Sequence, residues 1–512
     1  MFLKEGIKMT THTKQDDLTE GHGNVKNVVS FMDAEAAVTR ITEIYTKNTS
    51  LIRQTFLDIA NSKVFPKKLP KLEEATYPYL GIKVTSSTLN VDGRVAFGAA
   101  LEAGTYGTTL TRPDIFQHYY RKQIELLLNH HKTPVVVGES DWPIPLPFVD
   151  EWDAENFQPE KFWQNPIAFA LPNLSVVDDS IVNGVYRVKK GQPLPLALFS
   201  AERVDLSLAR LHHYCGTSTK HFQQFILLTN YQRYIDEFIA YANTCLATSD
   251  EYTAFVEPGD YITPNPRIPC DDPVGARQAL LPQMPAYHLK KKNNWGITFI
   301  NIGIGPTNAK TITDHLAVLR PHCWIMLGHC AGLRRSQRLG DYVLAHAYVR
   351  EDHVLNDDIP AWVPIPPIAE IQVTLQQAVA NVTGEQGPNL KDRMRTGTVV
   401  TTDNRNWELR SQEMMERFRQ SRAIALDMES ATIAANGFRM RVPYGTLLCV
   451  SDKPIHGELK LRGMAHHFYH QSVAQHLRIG IETIRILEEE LRKGDIIVHS
   501  RKLRTFDEPP MR

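Results

Sequence analysis

Two short polar motifs follow apolar runs in the carboxyl-terminal part of the chain. The motif DMES at 427–430 follows the run AIAL, and Ser451-Asp452 follows GTLLCV. If both runs are neighbouring strands of a parallel sheet, their ends place Glu429 and Asp452 in one site, which suits a reaction that needs one acid and one hydroxyl-binding anion. Taken singly, each carboxylate is more often a helix cap or a surface ion pair. The pair is informative only because both motifs occur in this order.

A glycine turn, Gly303-Ile-Gly305-Pro, separates the apolar run ITFIN from a predicted helix. Glycine lets the backbone approach a ligand, and the start of a helix favours an anion. The turn lacks the third glycine of a dinucleotide fingerprint and the Lys-Ser/Thr of a P-loop. A tight turn without a ligand explains it equally well.

A second glycine motif begins at Gly328 and continues into a basic loop. The loop contains Arg334, Arg335 and Arg338 within five residues. Guanidinium groups next to a glycine turn can hold a phosphate through paired hydrogen bonds. The alternative is a basic loop exposed to solvent.

These motifs need a framework that brings strand ends together. From about residue 210, apolar β-branched runs alternate with helical segments, which predicts an α/β fold with a mostly parallel or mixed central sheet flanked by helices. Ligands of such sheets bind beyond the carboxyl ends of the strands. Before it we predict a flexible tail over 1–28 and an α+β domain over 29–195, followed by the α/β domain over 196–512. The stretch QPLPLALF at 192–199 suggests a linker, and the predicted helices include 33–61, 113–130 and 471–493.

Composition excludes several classes of function. The 512 residues contain 57 Lys and Arg and 57 Asp and Glu, so the charge balance gives no reason to expect nucleic acid or a membrane surface as a partner. The six cysteines contain no C-x₂-C pair, and the histidine clusters have no metal-ligand spacing, which argues against a metal site or a disulfide framework. The first 28 residues lack an apolar signal core, so we expect a cytoplasmic protein.

The order of the motifs resembles that of the nucleoside phosphorylase and nucleosidase superfamily. GIG, then GHCAGL-x₆-GD, then DMES and SD match over about 210–490, whereas TLTRPD, PIPLPF and NIGIGPTNAKTITDHLAVLRP are similar to the bacterial AMP nucleosidase family over nearly the whole chain. The resemblance implies a nucleoside-phosphorylase-like fold and hydrolysis of AMP to adenine and ribose 5-phosphate. It also implies a homo-oligomer, expected as a hexamer, with no cofactor needed for the chemistry. MgATP would activate it, phosphate would inhibit it, and the amino-terminal domain would be regulatory.

The resemblance also implies roles for single residues. Asp452 matches the acid that faces the purine and assists its departure, and Glu429 matches the glutamate that binds the ribose hydroxyls. Met428 would pack under the sugar, and Trp407 lies near the position of an aromatic face for the base. His213 matches a histidine that reaches the 5′ end of a neighbouring subunit's ribose.

The remaining predicted binding residues concern phosphate. Arg233 matches a phosphate-binding arginine, and the glycine turns and the basic loop complete the predicted substrate-binding set: Gly305, Gly328, Arg334 and Arg338.

The GHCAG motif departs from the phosphorylase pattern. Phosphorylases have an arginine and a serine or threonine where this chain has Met326 and His329. Without those groups a nucleophilic phosphate is poorly held, so water is the expected nucleophile. A purine nucleoside phosphorylase is the alternative, since Arg233 remains. A nucleotide sensor and an enzyme of the cytokinin-releasing kind are weaker alternatives.

Overall fold

The computed structural model divides into two compact units, which meet in the chain between Leu206 and Ser207. Met511 belongs to the first unit. The residues that the structure describes are 20–61, 72–89, 100, 102–149, 169–269, 274–459, 464–493 and 511.

The first unit is an α+β domain with a five-stranded sheet in the order β1-β4-β2-β3-β5. One long helix packs through a stripe that recurs at helical spacing and includes the buried residues Ala37, Ile41, Ile44 and Ile52. The elements are β1 (Lys26–Phe31), α1 (Ala34–Asn61), β2 (Thr76–Val84), β3 (Gly104–Thr109), α2 (Pro113–His131), β4 (Val135–Pro143) and β5 (Leu194–Pro195).

Two stretches near the predicted domain borders differ from expectation. The segment 192–199 is not an exposed linker, because Leu194–Pro195 pairs with β3 and the four residues 196–199 are buried. Proline and small apolar residues are common to linkers and to short strands, so composition could not separate the two. The first strand begins at Lys26, within the predicted tail, whereas 1–19 lie outside the described residues.

The second unit contains the α/β domain. Its helices are α3 (Ala201–Cys215, which begins in the first unit), α4 (Gln232–Thr248), α5 (Pro306–Leu316), α6 (Ala369–Thr383), α7 (Gly387–Arg393), α8 (Ser411–Ser421), α9 (Ser430–Met440) and α10 (Met464–Lys493). Its strands are β6 (Phe225–Thr229), β7 (Ala254–Glu257), β8 (Tyr261–Pro264), β9 (Ala286–Lys290), β10 (Ile297–Asn301), β11 (Cys323–Gly332), β12 (Tyr342–Glu351), β13 (Met394–Thr402), β14 (Ala425–Asp427) and β15 (Tyr444–Asp452).

The ten strands form one mixed sheet in the order β14-β13-β12-β15-β11-β6-β10-β9-β7-β8, and a further pairing joins β14 to β11. This further pairing closes the five strands from β14 to β11 on themselves. All ten residues of β11 are buried, as its central position requires.

The strands that carry the two polar motifs are not neighbours, as a simple parallel sheet would have made them. Both pair with β11, one on each side: β15 runs parallel to it and β14 antiparallel. Ala331 is the common partner, since it pairs with Leu426 on β14 and with Asp452 on β15. The motifs are therefore about two strand spacings apart, roughly 10 Å.

Three further findings concern the described residues alone. No helix among them is both long and apolar enough to cross a membrane. They contain no group of three or more His, Cys, Asp or Glu side chains arranged to hold a metal ion. The cysteines in the described part of the chain are free, and Cys245 is the one that is not fully buried.

Candidate active site

Glu429 follows β14, and residues that follow two other strands, β6 and β10, bind its carboxylate. It stands between β14 and α9, and only 1% of its surface is exposed. The backbone N–H of Gly305, which precedes α5, donates to Oε1 at 2.7 Å. The amide Nδ2 of Asn230, the first residue after β6, donates to Oε2 at 2.9 Å. Both carboxylate oxygens thus accept a hydrogen bond from the protein.

Asp427 stabilises the start of the helix that follows Glu429. Its Oδ1 accepts a hydrogen bond from the hydroxyl of Thr401 at 2.6 Å. Its Oδ2 accepts one from the backbone N–H of Ser430 at 2.9 Å, and the Ser430 hydroxyl donates to the same oxygen. Thr401 in turn accepts from the backbone N–H of Ala431 at 2.8 Å. This carboxylate therefore caps the start of α9, which is the helix-cap alternative for the DMES motif.

The two carboxylates affect each other's protonation. Burial, and then the nearby Asp427 carboxylate, raise the pKa of Glu429 to about 8, although hydrogen bonds from Gly305 and Asn230 oppose the shift. Burial also raises the pKa of Asp427, against the hydrogen bonds from Ser430 and Thr401. Because the two carboxyl groups are buried close together, ionisation of one disfavours ionisation of the other. Perturbed carboxyl groups of this kind are common at catalytic sites.

Asp452 ends β15 and is half-buried. The Ser451 hydroxyl donates to its Oδ1 at 2.6 Å. The next residue, Lys453, is buried and its ammonium group lies 2.6 Å from a carboxylate oxygen of Glu458. Asp452 thus lies on the opposite side of β11 from the DMES motif.

The two predicted glycines lie close to Glu429. Gly305 has a φ of +110°, which disfavours any other residue there, and a side chain at this position would point into open space. Gly328 is in the buried β11. A Cβ at Gly328 would lie 2.8 Å from Cε of Met326 and 3.7 Å from Oδ1 of Asn230. The backbone of both glycines therefore borders the Glu429 site.

Trp407 and Met428 have different surroundings. Trp407 is 5% exposed and packs edge-on against Phe418, with ring centres 5.6 Å apart. It belongs to a hydrophobic cluster that also contains Ala331 and Leu426. Met428 is half-buried between Asp427 and Glu429. The structure thus brings Met428 to the site and places the Trp407 ring in the layer behind it.

The predicted cations lie in several places. Arg334 is exposed, its guanidinium donates to the Arg422 carbonyl at 2.8 Å, and it lines a cavity of about 700 Å³. Arg338 is exposed on the same loop, and Arg233 is half-buried in the first turn of α4, three residues after Asn230. His213 is exposed in the last turn of α3.

Two family models match the chain. The model described as "Bacterial AMP nucleoside phosphorylase N-terminus" matches residues 36–193, and the model "Phosphorylase superfamily" matches 247–485. The second unit therefore has the nucleoside-phosphorylase-like fold that the motif order predicts.

Two relatives cover almost the whole chain. The AMP nucleosidases of Escherichia coli K12 and Escherichia coli O157:H7 are each 45% identical to it over 491 residues, which is 95% of this chain and 100% of theirs. The chain belongs to the AMP nucleosidase family. The match extends through both units and thus confirms the predicted family.

Two solved structures are similar to part of this chain. The crystal structure of the AMP nucleosidase of Bacteroides thetaiotaomicron is 28% identical to this AMP nucleosidase family member, covers 56% of this chain and 98% of its own, and has a TM-score of 0.41. The purine nucleoside phosphorylase of Toxoplasma gondii, in complex with immucillin-H, is 16% identical over 54% of this chain and 98% of its own, with a TM-score of 0.39.

Sequence reasoning missed the role of Asn230 in this AMP nucleosidase family member. Asn230 follows the run FILLT, so the signal that identified the other motifs, a polar residue directly after an apolar strand, also applied to it. Its neighbour Tyr231 packs edge-on against His329, with ring centres 4.7 Å apart. Nε2 of His329 in turn lies 3.4 Å from the Tyr234 hydroxyl, which contacts Nδ1 of His476 at 2.7 Å. These aromatic and imidazole rings fill the space beside the GHCAG strand.

Proposed function

We propose that Glu429 and Asp452 carry out the hydrolysis of AMP to adenine and ribose 5-phosphate. The observation that carries the proposal is the buried Glu429 carboxylate, held by Gly305 and Asn230, with Asp452 on the other side of the same strand, β11. We propose these two carboxyl groups as the hydroxyl-binding anion and the acid of one site.

The proposed roles follow from the charges that develop during the reaction. Breaking the bond between C1′ and N9 leaves positive charge on the ribose and negative charge on the purine. Glu429 accepts hydrogen bonds from the ribose hydroxyls, and its negative charge stabilises the cationic sugar. Asp452 donates a proton to N7, which becomes more basic as the bond to N9 breaks. Water adds to C1′, and the products are adenine and ribose 5-phosphate.

The raised pKa of Glu429 fits this role. Without substrate, burial and Asp427 favour the neutral carboxyl group. A cationic sugar reverses that preference, because an opposite charge nearby favours the carboxylate. The interaction is therefore stronger in the transition state than in the ground state, as catalysis requires.

Water is the proposed nucleophile because the phosphate-holding groups of the phosphorylases are replaced. Met326 is buried and its Cε would crowd any side chain at Gly328. His329 is buried and packed under Tyr231. Neither residue reproduces a guanidinium fork or a small hydroxyl. These replacements favour hydrolysis over phosphorolysis, the second candidate.

The binding roles are proposed residue by residue. Met428 packs under the sugar, and the backbones of Gly305 and Gly328 line the floor of the site. Arg233, next to the Asn230 turn, is the proposed partner of the 5′-phosphate. Trp407 is proposed to support the base side from behind, through Leu426 and Ala331, because its ring is already packed.

The remaining cations have proposed roles away from the reacting atoms. His213 is proposed to act at a neighbouring subunit's 5′-phosphate. Arg334 and Arg338 are proposed as an outer phosphate-attracting loop.

Regulation and assembly are further proposals. We infer that MgATP activates the enzyme, that phosphate inhibits it and that the protein is a cytoplasmic homo-oligomer, expected as a hexamer. The support is the family resemblance together with a first unit that has its own sheet and its own family match over 36–193. Light scattering of the purified protein, with and without MgATP, tests the assembly.

The test of the function is incubation with AMP in phosphate-free buffer, with and without MgATP, followed by chromatography. Adenine and ribose 5-phosphate, formed faster with MgATP, are the expected result. Cleavage of adenosine that depends on added phosphate would identify a phosphorylase. No cleavage under either condition would favour a nucleotide sensor.

A further inference from the structure

The contact with Glu429 involves only one of the two polar atoms of the Asn230 side chain, the amide nitrogen. This nitrogen, Nδ2, donates to Oε2 of Glu429 at 2.9 Å. The NH₂ group thus faces Glu429, whose Oε2 is the acceptor, and the amide oxygen faces away. That oxygen, Oδ1, is buried and has no hydrogen-bond partner among the described residues. A buried acceptor of this kind costs free energy unless something binds to it, so a ligand or water at this position is expected.

The surroundings of Oδ1 are those of the nucleophile side of the site. Oδ1 lies 3.7 Å from the position that a Cβ of Gly328 would occupy, so it faces the backbone of β11 at Gly328. The next residue along β11 is His329, which stands where phosphorylases have a phosphate-holding hydroxyl. Tyr231, directly after Asn230, packs against His329 at 4.7 Å. Asn230 thus joins Glu429 to the side from which a nucleophile approaches.

We propose that Asn230 positions the attacking water. Oδ1 accepts a hydrogen bond from the water while Nδ2 holds Glu429, so that one amide fixes the nucleophile relative to the carboxylate that binds the ribose hydroxyls. The inference rests on the proposed hydrolysis of AMP and adds the group that orients its nucleophile. Asn230 is a positioning residue for Glu429 and contacts the reacting water directly.

The step balances without another reactant. The water oxygen forms a bond to C1′ as the bond between C1′ and N9 breaks, and the electron pair of that bond goes to adenine. Asp452 supplies the proton at N7. The added water then releases one proton to solvent, and a proton from solvent restores Asp452. An amide oxygen is too weak a base to take the proton, so Asn230 orients the water and does not act as general base.

The test is competition between water and methanol as acceptors. Wild type and Asn230→Ala are incubated with AMP in buffer with a fixed methanol concentration, and ribose 5-phosphate and its methyl glycoside are quantified. We expect Asn230→Ala to lower kcat about 10- to 100-fold with a smaller change in KM, because positioning is lost. We also expect the ratio of methyl glycoside to ribose 5-phosphate to rise severalfold, because the acceptor that selects water is gone. If Asn230→Ala does not fold, Asn230→Ser should change kcat and the product ratio in the same directions.

Two control variants separate positioning of water from support of Glu429. Asn230→Asp keeps an acceptor oxygen, so its product ratio should stay at the wild-type value. Asn436→Ala removes an amide that ties α9 to α5 through Thr313 at 2.8 Å, so it should lower the rate without changing the product ratio.

Failure of the Asn230 proposal and failure of the proposed hydrolysis of AMP give different results. A product ratio in Asn230→Ala equal to that of the wild type overturns the inference and leaves Asn230 as a support of Glu429. Absence of ribose 5-phosphate with the wild type overturns the proposed hydrolysis itself.

Discussion

The backbone N–H of Gly305 donates to Oε1 of Glu429 at 2.7 Å, although 124 residues separate the two in the sequence. This bond joins the start of α5 to the start of α9. The far ends of the same helices are joined as well, because Asn436 donates to Thr313 at 2.8 Å and Arg439 donates to Asp314 at 3.2 Å. Two helices connected at both ends form a rigid frame, which holds the carboxylate in place while its charge changes.

Glu429→Gln should lower turnover of AMP and weaken the preference for AMP over 2′-deoxy-AMP. A glutamine is neutral and loses the charged hydrogen bond to the ribose, which corresponds to about 10- to 100-fold in kcat/KM. Steady-state rates on both substrates measure the effect. Glu416→Gln, an exposed change on α8, is the matched control. Equal cleavage of both substrates by the wild type would rule out the hydroxyl-binding role.

The pH profile of kcat/KM should report the raised pKa of Glu429. Burial and Asp427 place this pKa at about 8, so the carboxylate fraction of the free enzyme decreases as the pH falls below that value. If the carboxylate is the active form, kcat/KM rises with pH and levels off above about pH 8, with a midpoint that belongs to the coupled pair. The profile of Glu429→Gln should lack this rise of kcat/KM with pH. A wild-type profile without a change between about pH 6 and about pH 9 contradicts the assignment.

The Glu429 carboxyl group should make the wild type less stable than Glu429→Gln at high pH. The pKa of Glu429 is raised from the ordinary 4.5 to about 8 in the folded state. Its contribution to stability is therefore complete below the unfolded pKa and is lost as the pH rises through about 8. Glutamine mimics the neutral form, and the Asn230 amide can rotate to accept from it. Thermal unfolding at about pH 9 should give a higher Tm for the variant, and the two proteins should agree at about pH 4.

Trp407→Leu should affect stability more than substrate affinity. The indole ring is packed against Phe418 in a hydrophobic cluster, and its loss should lower the free energy of unfolding by about 1–3 kcal/mol. The KM for AMP should stay within about twofold. Trp362→Leu is the control, because that indole is 82% exposed. A KM increase of about tenfold or more, with unchanged stability, would instead assign Trp407 to stacking on the base.

Local patterns in the sequence predict several residues of the candidate site. Glu429, Asp452 and Gly305 each follow an apolar run, and the carboxyl end of a buried strand is where a ligand can be reached. The pattern is local, so it identifies the residues without their partners. The contact between Asn230 and Glu429 spans 199 residues and depends on the order of strands in the sheet. No periodicity in the sequence encodes that order.

Local sequence patterns also do not predict whether a strand runs parallel or antiparallel to its neighbours. β14 has three residues and runs antiparallel to β11 while it runs parallel to β13, so the strands that carry Asp427 and Asp452 flank β11 instead of each other. The segment 192–199 was misread for a related reason, since pairing of Leu194–Pro195 with β3 is a tertiary contact. Trp407 was placed by motif similarity, whereas its burial follows from packing of α8.

The most direct test of the account compares Asp452→Asn with the wild type on two leaving groups. Turnover of AMP should fall about 10²- to 10⁴-fold, because adenine leaves only with a proton at N7, while AMP binding is retained. The second substrate is p-nitrophenyl ribose 5-phosphate, whose leaving group departs as p-nitrophenolate without protonation. Asp452→Asn should cleave it at a rate close to that of the wild type. Asp403→Asn, an exposed change after β13, should alter neither rate. Equal losses on both substrates, or near-normal turnover of AMP, would contradict the role of Asp452 as the acid.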